Sequence, residues 1–234
     1  MDAKGILITV VVIVVLYLIY CAFTDTSLTS LQDAKKMQTI SSSSLGSSDS
    51  NASANFTYSV WFYVDDWNYK YGDPKIVLAH GSDKSAQGGF GIVLGGMQND
   101  LNIAVETYPS QTATTGTVHT CNVQNIPLQK WVHCLVSVYG KSLDVYIDGK
   151  LVRTCVLPGI AKVDTSKDMF ITPLGGFSGF TANTQFWATA TNPQEAYNIY
   201  KKGFGGSALG NLFNKYRIKF VFLVDNQESG SFEI

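Results

Sequence analysis

The sequence predicts an all-β protein, built as an antiparallel sandwich or barrel and preceded by one apolar N-terminal helix. Residues that favour strands, such as Val, Thr and Tyr, are common, whereas only four of the 18 acidic residues are the helix former Glu. Short apolar segments separated by turn signals recur from residue 55 onward, which is typical of antiparallel β architecture. An uncharged run covers residues 5–23.

The composition excludes several classes of protein. The chain has 234 residues, of which 45% are hydrophobic and 12% aromatic, and this is too apolar for a disordered chain. Its 17 basic residues are balanced by 18 acidic ones, which gives a net charge of -1 without any basic block. Because nucleic-acid binding depends on clustered positive charge, no nucleic-acid partner is expected.

The run at residues 5–23, GILITVVVIVVLYLIYCAF, contains no charged residue. As a helix it would extend about 28 Å, close to the roughly 30 Å hydrocarbon core of a bilayer. We therefore predict a retained single-pass anchor at residues 1–23, with the lipid bilayer as its partner. The alternative is a cleaved signal peptide, whose apolar core of roughly 7–15 residues would precede a small-x-small cleavage site. This run is longer, and no such site follows it.

Residues 24–54 are predicted to form a stalk between the anchor and the β domain. Within this stalk, the apolar spacing over residues 28–40 could support a short helix. Residues 41–53 read SSSSLGSSDSNAS, a Ser-rich composition that is typical of flexible linkers because it offers no side chains for a core.

Residues 55–234 are predicted to form the β domain. Asp148-Gly149 supplies a two-residue hairpin turn between two of its strands. One short helix is predicted at residues 192–203, where Pro193 opens the first turn and Gly203 ends the helix. The predicted strands cover residues 56–64, 75–81, 89–96, 101–108, 131–140, 143–149, 150–158, 168–176, 181–189, 216–225 and 229–234.

Three blocks of the β domain resemble the concanavalin A-like, laminin-G-like family. The strand at 56–64 carries Trp61 at an aromatic position of that family, and the segment 174–203 is similar to its Gly-rich turn, strand and short helix. A Trp-x-His pair followed by a Tyr-x-Asp-Gly-Lys hairpin is matched by Trp131, His133, Tyr146, Asp148, Gly149 and Lys150. The resemblance implies a jelly-roll β-sandwich, and it implies no particular activity.

A narrower resemblance concerns laminin-G-like proteins of large DNA viruses. The apolar helix, the Ser-rich stalk and the phrase YSVWFYVDDWNYKYGDPKIVLAHG at residues 58–81 are similar to those proteins. This resemblance implies a minor capsid protein that is anchored in a membrane and docks on other capsid proteins. It would lie in the virion between the inner membrane and the capsid, or in a host membrane. The alternative function is that of a lectin, which would bind glycans at a membrane or virion surface.

The acidic residues do not support an enzyme. Glycoside hydrolases need two carboxylates flanking the scissile bond, and no E-x-D-x-x-E spacing occurs among the four Glu residues. The three histidines, His80, His119 and His133, show no metal-binding spacing either. We therefore predict no catalytic residue, no metal site and no cofactor.

A calcium site at one rim of the sandwich is left open as an alternative, because related sandwiches often bind Ca²⁺ there. Carboxylate oxygens are suitable ligands for Ca²⁺, but Asp side chains at loop positions also cap turns. The candidates are Asp65, Asp66, Asp73, Asp83 and Asp100.

The loop DDWNYKYGDP at residues 65–74 is the predicted binding surface. Trp67, Tyr69 and Tyr71 alternate with polar residues, so the three rings could stack on sugars or anchor a protein neighbour. A third possibility is that they only cover one end of the sandwich.

The cysteine positions predict one disulfide, between Cys121 and Cys155. Cys21 lies in the apolar run, and Cys134 alternates with core-facing valines. With the turn at residues 148–149, residue 155 falls opposite residue 142, whereas residue 134 falls opposite residues 147–148. Cys134 and Cys155 would therefore lie at opposite ends of neighbouring strands, further apart than the roughly 7 Å between Cα atoms that a disulfide allows. The Cys121–Cys155 bond would require an oxidising site of assembly. Three reduced thiols in the β domain remain the alternative.

Overall fold

A computed structural model describes most of the β domain and parts of the two termini. The described residues are 12–13, 16–17, 27–45, 54–82, 84–86, 88–110, 112–204, 219–224 and 227–233. The chain divides into two units, one formed by Leu28–Phe204 and the other by Met1–Ser27 together with Gly205–Ile234. Each unit is described by itself below.

The Leu28–Phe204 unit consists of two antiparallel sheets. Its strands are β1 (Gln32–Asp33), β2 (Gln38–Ile40), β3 (Phe56–Asp66), β4 (Lys75–Gly81), β5 (Gly89–Leu94), β6 (Leu101–Tyr108), β7 (Thr117–Val123), β8 (Trp131–Tyr139), β9 (Ser142–Ile147), β10 (Lys150–Val156), β11 (Ile160–Ala161), β12 (Met169–Ile171) and β13 (Ser178–Trp187). The front sheet has the order β1-β13-β3-β8-β9-β10. The back sheet has the order β11-β6-β5-β4-β12-β2, with β7 also paired to β6. This architecture confirms the predicted all-β antiparallel sandwich.

The core lies between the two sheets and follows the alternation of the strands. On β3, every second residue from Phe56 to Val64 is buried in the main core cluster, as the alternating pattern predicted. On β6, buried and half-buried residues alternate from Leu101 to Tyr108. Because one face of each sheet turns inward, the apolar residues of the two sheets meet in a single cluster.

The outer face of the front sheet is covered by the helix α1 (Pro193–Lys202). Its side chains Ala196 and Ile199 pack on Leu135 and Tyr146 of the sheet. As a result, the positions of β3 that alternate with the core are buried as well, including Ser59 at 1% exposure.

The sequence explains where α1 begins and ends. The side chain of Asn192 accepts a hydrogen bond from the backbone N–H of Glu195 at 2.9 Å, and the Glu195 carboxylate accepts one from the Asn192 N–H. Pro193 occupies the first turn, and Gly203 follows the last with φ 74°. The predicted helix at 192–203 is therefore confirmed within one residue at each end.

Residues 28–45 belong to the sandwich, which corrects two predictions. The segment was assigned to the stalk at residues 24–54, with a short helix at 28–40, but β1 pairs with β13 and β2 pairs with β12. Over so few residues, the apolar positions of two short edge strands and their turn can have the same spacing as those of a helix. In the turn, Asp33 accepts a hydrogen bond from the Lys35 N–H at 2.9 Å, which favours a bend over a helix. Residues 46–53 of the predicted stalk lie outside the described residues.

A β-bulge changes the predicted register of the hairpin after Asp148-Gly149. Lys150 pairs with Ile147 as expected, but the pairing shifts between Leu151 and Arg153. Cys155 therefore lies opposite Leu143 rather than residue 142. The extra residue could not be read from the turn alone, because the turn fixes only the first pair.

The structure contains the Cys121–Cys155 disulfide, with a Cα–Cα distance of 6.1 Å. Cys121 lies on β7 and Cys155 on β10, which are edge strands of different sheets. The bond therefore joins the back sheet to the front sheet on one open side of the sandwich. Cys134 pairs with Ile147 on the interior of the front sheet and is a buried free thiol.

The second unit is described only at a few positions. Val12, Ile13, Leu16 and Tyr17 are helical and exposed, and the rest of the predicted anchor at residues 5–23 lies outside the described residues. Within the described residues, no helix has the length and apolar composition needed to cross a bilayer. Near the C-terminus, β14 (Lys219–Val224) pairs antiparallel with β15 (Gln227–Glu233), within the predicted hairpin at 216–234.

Candidate functional site

A groove of about 650 Å³ opens at the end of the sandwich where the β3–β4, β5–β6 and β7–β8 loops meet. Its lining combines one indole, four amides, one carboxylate and two flexible apolar side chains. The lining residues are Trp67, Met97, Gln98, Asn99, Asp100, Gln124, Asn125 and Leu128. The groove therefore offers one flat apolar surface together with many hydrogen-bonding groups.

Two of the loops are joined into one wall of the groove by a pair of hydrogen bonds. The Asn99 side chain donates a hydrogen bond from Nδ2 to the Ile126 carbonyl at 3.0 Å. In return, the Ile126 N–H donates to the Asn99 carbonyl at 2.8 Å. These reciprocal bonds join the β5–β6 and β7–β8 loops at Asn99 and Ile126, so the two loops form one wall of the groove.

Trp67 is supported from behind by a buried cation. The ammonium of Lys75 lies 4.5 Å from the centre of the Trp67 ring, and it also donates a hydrogen bond to the Gly96 carbonyl at 3.2 Å. Lys75 has no exposed surface, and burial lowers its pKa from the usual range. The cation–π contact fixes one face of the indole. The ring also packs against the main core and lines the groove.

The polar side chains of the groove differ in whether they form hydrogen bonds to other residues of the fold. Asp100 accepts a hydrogen bond at Oδ2 from the Asn122 amide at 3.3 Å, and the same amide donates to Asn102 at 2.9 Å. By contrast, Gln98 and Gln124 make no side-chain hydrogen bond to any described residue. The same holds for the lining residue Asn125.

The backbone of Asn125 adopts a left-handed conformation with φ 60°. Residues other than glycine rarely take this conformation, and Asn is one of the few that tolerate it.

The structure separates the three aromatic residues of the predicted binding loop. Trp67 faces the groove, whereas Tyr69 donates a hydrogen bond to the Gly175 carbonyl at 3.1 Å and carries Lys35 over its ring. Tyr71 is 62% exposed. Only Trp67 thus belongs to the groove, Tyr69 ties the loop to the segment before β13, and Tyr71 is presented to solvent.

The candidate calcium ligands are not gathered at one point in the described structure. Asp66 accepts a hydrogen bond from the Asn68 N–H at 2.9 Å, as expected of a turn cap, and Asp100 is held by Asn122. Asp83 lies outside the described residues. No group of three or more His, Cys, Asp or Glu side chains that could hold a metal ion occurs among the residues described.

Two of the histidines are buried and hydrogen bonded. His80 contacts the Tyr58 hydroxyl through Nδ1 and the Lys167 carbonyl through Nε2, and His133 contacts the Ser59 hydroxyl through Nε2 at 2.8 Å. Burial lowers the pKa of each imidazole to about 4. Both rings are therefore neutral at physiological pH, and neither lines the groove.

Sequence reasoning missed most of the groove. Gln98 and Asn99 fell between two predicted strands, Asp100 was considered only as a possible calcium ligand, and β7 with its following loop was not predicted. The available signal was a pair of amide-rich segments, 98–102 and 122–125, each beside a strand end. That signal becomes specific only when the fold shows that both segments lie at the same end of the sandwich.

Comparisons with known proteins support the fold. No curated protein sequence matches the chain. The binding domain of botulinum neurotoxin serotype G matches with a TM-score of 0.50 and 14% identity, over 67% of this chain and 40% of that one. The structure of HCR/D-Sa-GBL1/C matches with a TM-score of 0.47 and 14% identity, over 63% of this chain and 35% of that one. The chain thus spans less than half the length of these solved structures, and at such identity the likeness extends to the fold alone.

The family assignment rests on sequence. The model of the concanavalin A-like lectin/glucanases superfamily matches residues 38–196, which is more than half of the chain. The matched segment begins at β2 and ends within α1, so it contains both sheets and the groove. This chain belongs to the concanavalin A-like lectin/glucanases superfamily.

Proposed function

We propose that this protein is a non-enzymatic binding protein whose groove holds a carbohydrate. The observation that carries the proposal is the combination of Trp67 with hydrogen-bonding side chains that the fold leaves unused. Sugars present apolar C–H faces that pack on an aromatic ring, and hydroxyl groups that pair with amides and carboxylates. A concave site with a few convergent polar groups is the usual form of a small-ligand site.

We also propose that the protein is not an enzyme, and the residues that line the groove support this. Glycoside hydrolysis needs two carboxyl groups on either side of the scissile bond. Asp100 is the one carboxylate among the lining residues, and the nearest buried histidines lie elsewhere in the sandwich. The lining can therefore orient a sugar, but it does not supply an acid and a base.

A second candidate function is attachment to a neighbouring protein at the same end of the sandwich. Tyr71, Met97 and Leu174 are exposed by 62%, 68% and 61%. Met97 lines the groove, and the Leu174 carbonyl accepts a hydrogen bond from Lys70 in the loop that carries Tyr71. Exposed apolar side chains in one region are typical of protein contacts. In this proposal the protein docks on other structural proteins, and the resemblance to viral laminin-G-like proteins extends it to a minor capsid protein.

Membrane anchorage through residues 5–23 is proposed on the sequence alone. The support is the uncharged run and its length, which suit one crossing of a bilayer. Alkaline carbonate extraction of membranes that contain the full chain tests it. An anchored chain stays in the membrane pellet with its original N-terminus, whereas release into the supernatant, or a mature N-terminus near residue 24, would refute the anchor.

The glycan proposal is tested with the full-length chain on a glycan array, followed by titration calorimetry. Gln124→Ala should weaken binding to any bound glycan at least fivefold, because Gln124 lines the groove and contributes no hydrogen bond to the fold. The control is Tyr139→Ala, a 71% exposed position at the opposite end of the sandwich, which should leave the affinity unchanged. The absence of binding to every glycan on the array would contradict the lectin function.

The docking proposal needs a separate variant. Replacing Tyr71 and Leu174 with Ser should reduce co-purification with capsid or membrane neighbours, as measured by cross-linking, and should leave glycan binding intact. Unchanged cross-links in this double variant would rule out the exposed loop tips as the contact surface.

A further inference from the structure

No positively charged side chain is among the residues that line the groove. None of its eight lining residues is Lys, Arg or His. The ammonium of Lys75 contacts the Trp67 ring and donates its hydrogen bond to the Gly96 carbonyl. Because Lys75 is fully buried, its ammonium cannot donate a hydrogen bond to a ligand in the groove.

An acidic sugar would therefore find no partner for its charge. Carboxylates and sulfates are bound in proteins by charge-assisted hydrogen bonds, most often from Arg or Lys. Here the ligand would meet the Asp100 carboxylate instead, and two like charges within a few ångströms repel each other. Removing the charge of the ligand from water without a counter-charge adds a further cost.

A neutral sugar matches the same lining. Asn122 donates to Oδ2 of Asp100 and fixes that carboxylate, and Oδ1 has no hydrogen-bond partner among the described residues. An ionised carboxylate only accepts hydrogen bonds, so its natural partners are hydroxyl groups. The amides of Gln98, Gln124 and Asn125 can both donate and accept, which suits hydroxyl and acetamido groups.

We infer that the groove selects uncharged sugars, such as neutral hexoses or N-acetylhexosamines, and excludes sialylated, uronic and sulfated ones. In the bound state the sugar packs an apolar face on Trp67 and donates a hydroxyl to Asp100. This inference rests on the proposed carbohydrate-binding function and names the class of ligand for the same groove.

The test uses the full-length chain and matched pairs of oligosaccharides that differ only in a terminal sialic acid, a uronic acid or a sulfate. Titration at low ionic strength should give at least tenfold weaker binding for each acidic form. Raising the salt concentration should narrow that gap, because screening reduces the repulsion from Asp100. This salt measurement needs no variant, so it is independent of any folding defect.

Asp100→Asn sharpens the test. The substitution keeps the shape of the side chain, removes the charge and replaces one acceptor oxygen with a donor. We expect at least fivefold weaker binding of the neutral form and a smaller difference between the neutral and acidic forms. Asp144→Asn is the matched control, because this carboxylate lies on β9, accepts a bond from Thr154 and does not line the groove. The Asp144→Asn variant should change neither the affinity for the neutral form nor the difference between the neutral and acidic forms.

The outcomes separate the two proposals. Preference for the acidic member of a pair, or equal affinity for both members, would overturn the inference while carbohydrate binding itself stands. Binding to no glycan at all would overturn the carbohydrate function. Tighter binding of neutral glycans by Asp100→Asn would also overturn the inference, since it would show that Asp100 opposes the sugar rather than holding it.

Discussion

Two tryptophan residues of this chain lie beside polar side chains, but only one of them is open to a ligand. Trp67 lines the groove, while Trp61 is 6% exposed beneath α1, with His133 at 4.9 Å and Tyr200 at 5.6 Å between ring centres. We refer to Ser59, Trp61, His133 and Tyr200 as the helix-covered layer. Polarity next to an indole therefore does not by itself mark a site.

The difference lies in what the polar atoms do. In the helix-covered layer, Ser59 and His133 bond to each other, and the ring N–H of Trp61 is buried without a partner among the described residues. In the groove, the side-chain amides of Gln98, Gln124 and Asn125 make no hydrogen bond to any described residue. The first region holds α1 on the sheet, whereas the second is available for binding. All but the last of the predictions below measure glycan affinity together with the stability of the fold.

Trp61→Ala should give the largest effect. Removing a buried indole beneath α1 should destabilise the protein by roughly 3–5 kcal/mol, because the helix cannot fill the cavity that is left. Chemical denaturation followed by circular dichroism measures this loss. Under conditions where the variant is still folded, its glycan affinity should match that of the wild type within twofold. A loss of affinity without a loss of stability would show that the two regions are not separate.

Breaking the disulfide should come second and should reach the groove as well. Cys121→Ser or Cys155→Ser should lower stability by roughly 3–4 kcal/mol in the chain-entropy model, and the double variant should cost little more than either. Since β7 leads directly into the loop with Gln124, glycan affinity should also fall.

Peptide mapping without reductant checks the bond itself in the natural protein. A Cys121 peptide that is recovered free and alkylated would contradict the pairing. Loss of stability in only one of the two single variants would contradict it independently.

Lowering the pH should reduce the stability of the fold under conditions that leave glycan affinity unchanged. The folded-state pKa values of His80 and His133 are about 4, below the usual 6.5, because burial disfavours the charged ring. Between these values the unfolded chain binds more protons than the folded one, so stability is complete above pH 6.5 and falls as the pH drops towards 4. The loss is on the order of 3 kcal/mol for each imidazole, at about 1.4 kcal/mol per pKa unit.

Melting temperatures from pH 7 to pH 4 measure this loss. His133→Gln should flatten the curve by about half, because it removes one of the two titrating rings. Glycan affinity at pH 7 and pH 5.5 should be the same in the wild type, as neither imidazole lines the groove. A curve with the same slope in His133→Gln would show that other groups cause the pH dependence.

Asn192→Ala should have the smallest effect. It removes the side chain that caps α1 and should cost about 1 kcal/mol, because one backbone N–H at the helix start loses its partner. Denaturation curves detect the change, and hydrogen exchange should place it in α1. Gln194→Ala, within the same first turn but outside the cap, is the matched control. An equal loss in both variants would mean that the cap contributes nothing specific.

The strands of the sandwich could be predicted largely because their burial alternates along the sequence. From Phe56 to Val64 the pattern repeats every two residues, and the hairpin from Trp131 to Val156 has a clear turn signal. The edge strands were missed or misassigned for the opposite reason. β1 and β2 together contain five residues, too few to distinguish a strand from a helical turn. β7 is mostly exposed on its outer half, so its apolar signal is weak.

The groove was less predictable than the fold because its residues are distant in the sequence. Trp67 could be singled out as an aromatic residue in a polar loop, but Tyr69 and Tyr71 share that pattern and lie elsewhere. Asp100 and Gln124 reach the same groove only because β5, β6 and β7 are neighbours in the back sheet. Local pattern therefore finds candidates, and strand order decides which of them meet.

The buried thiol of Cys134 can be used to measure how often the folded protein opens. It lies on β8 facing the core, and burial raises its pKa to about 12. Because alkylating reagents attack the thiolate, the folded form is inert to them at neutral pH, and labelling proceeds through molecules whose front sheet has opened. The rate of labelling, followed on the Cys134 peptide by mass spectrometry, then measures how often the native sandwich opens. A sugar bound in the groove of the closed form should slow that rate by the factor 1 + [L]/Kd, so a thiol that does not line the groove can measure the affinity for the sugar.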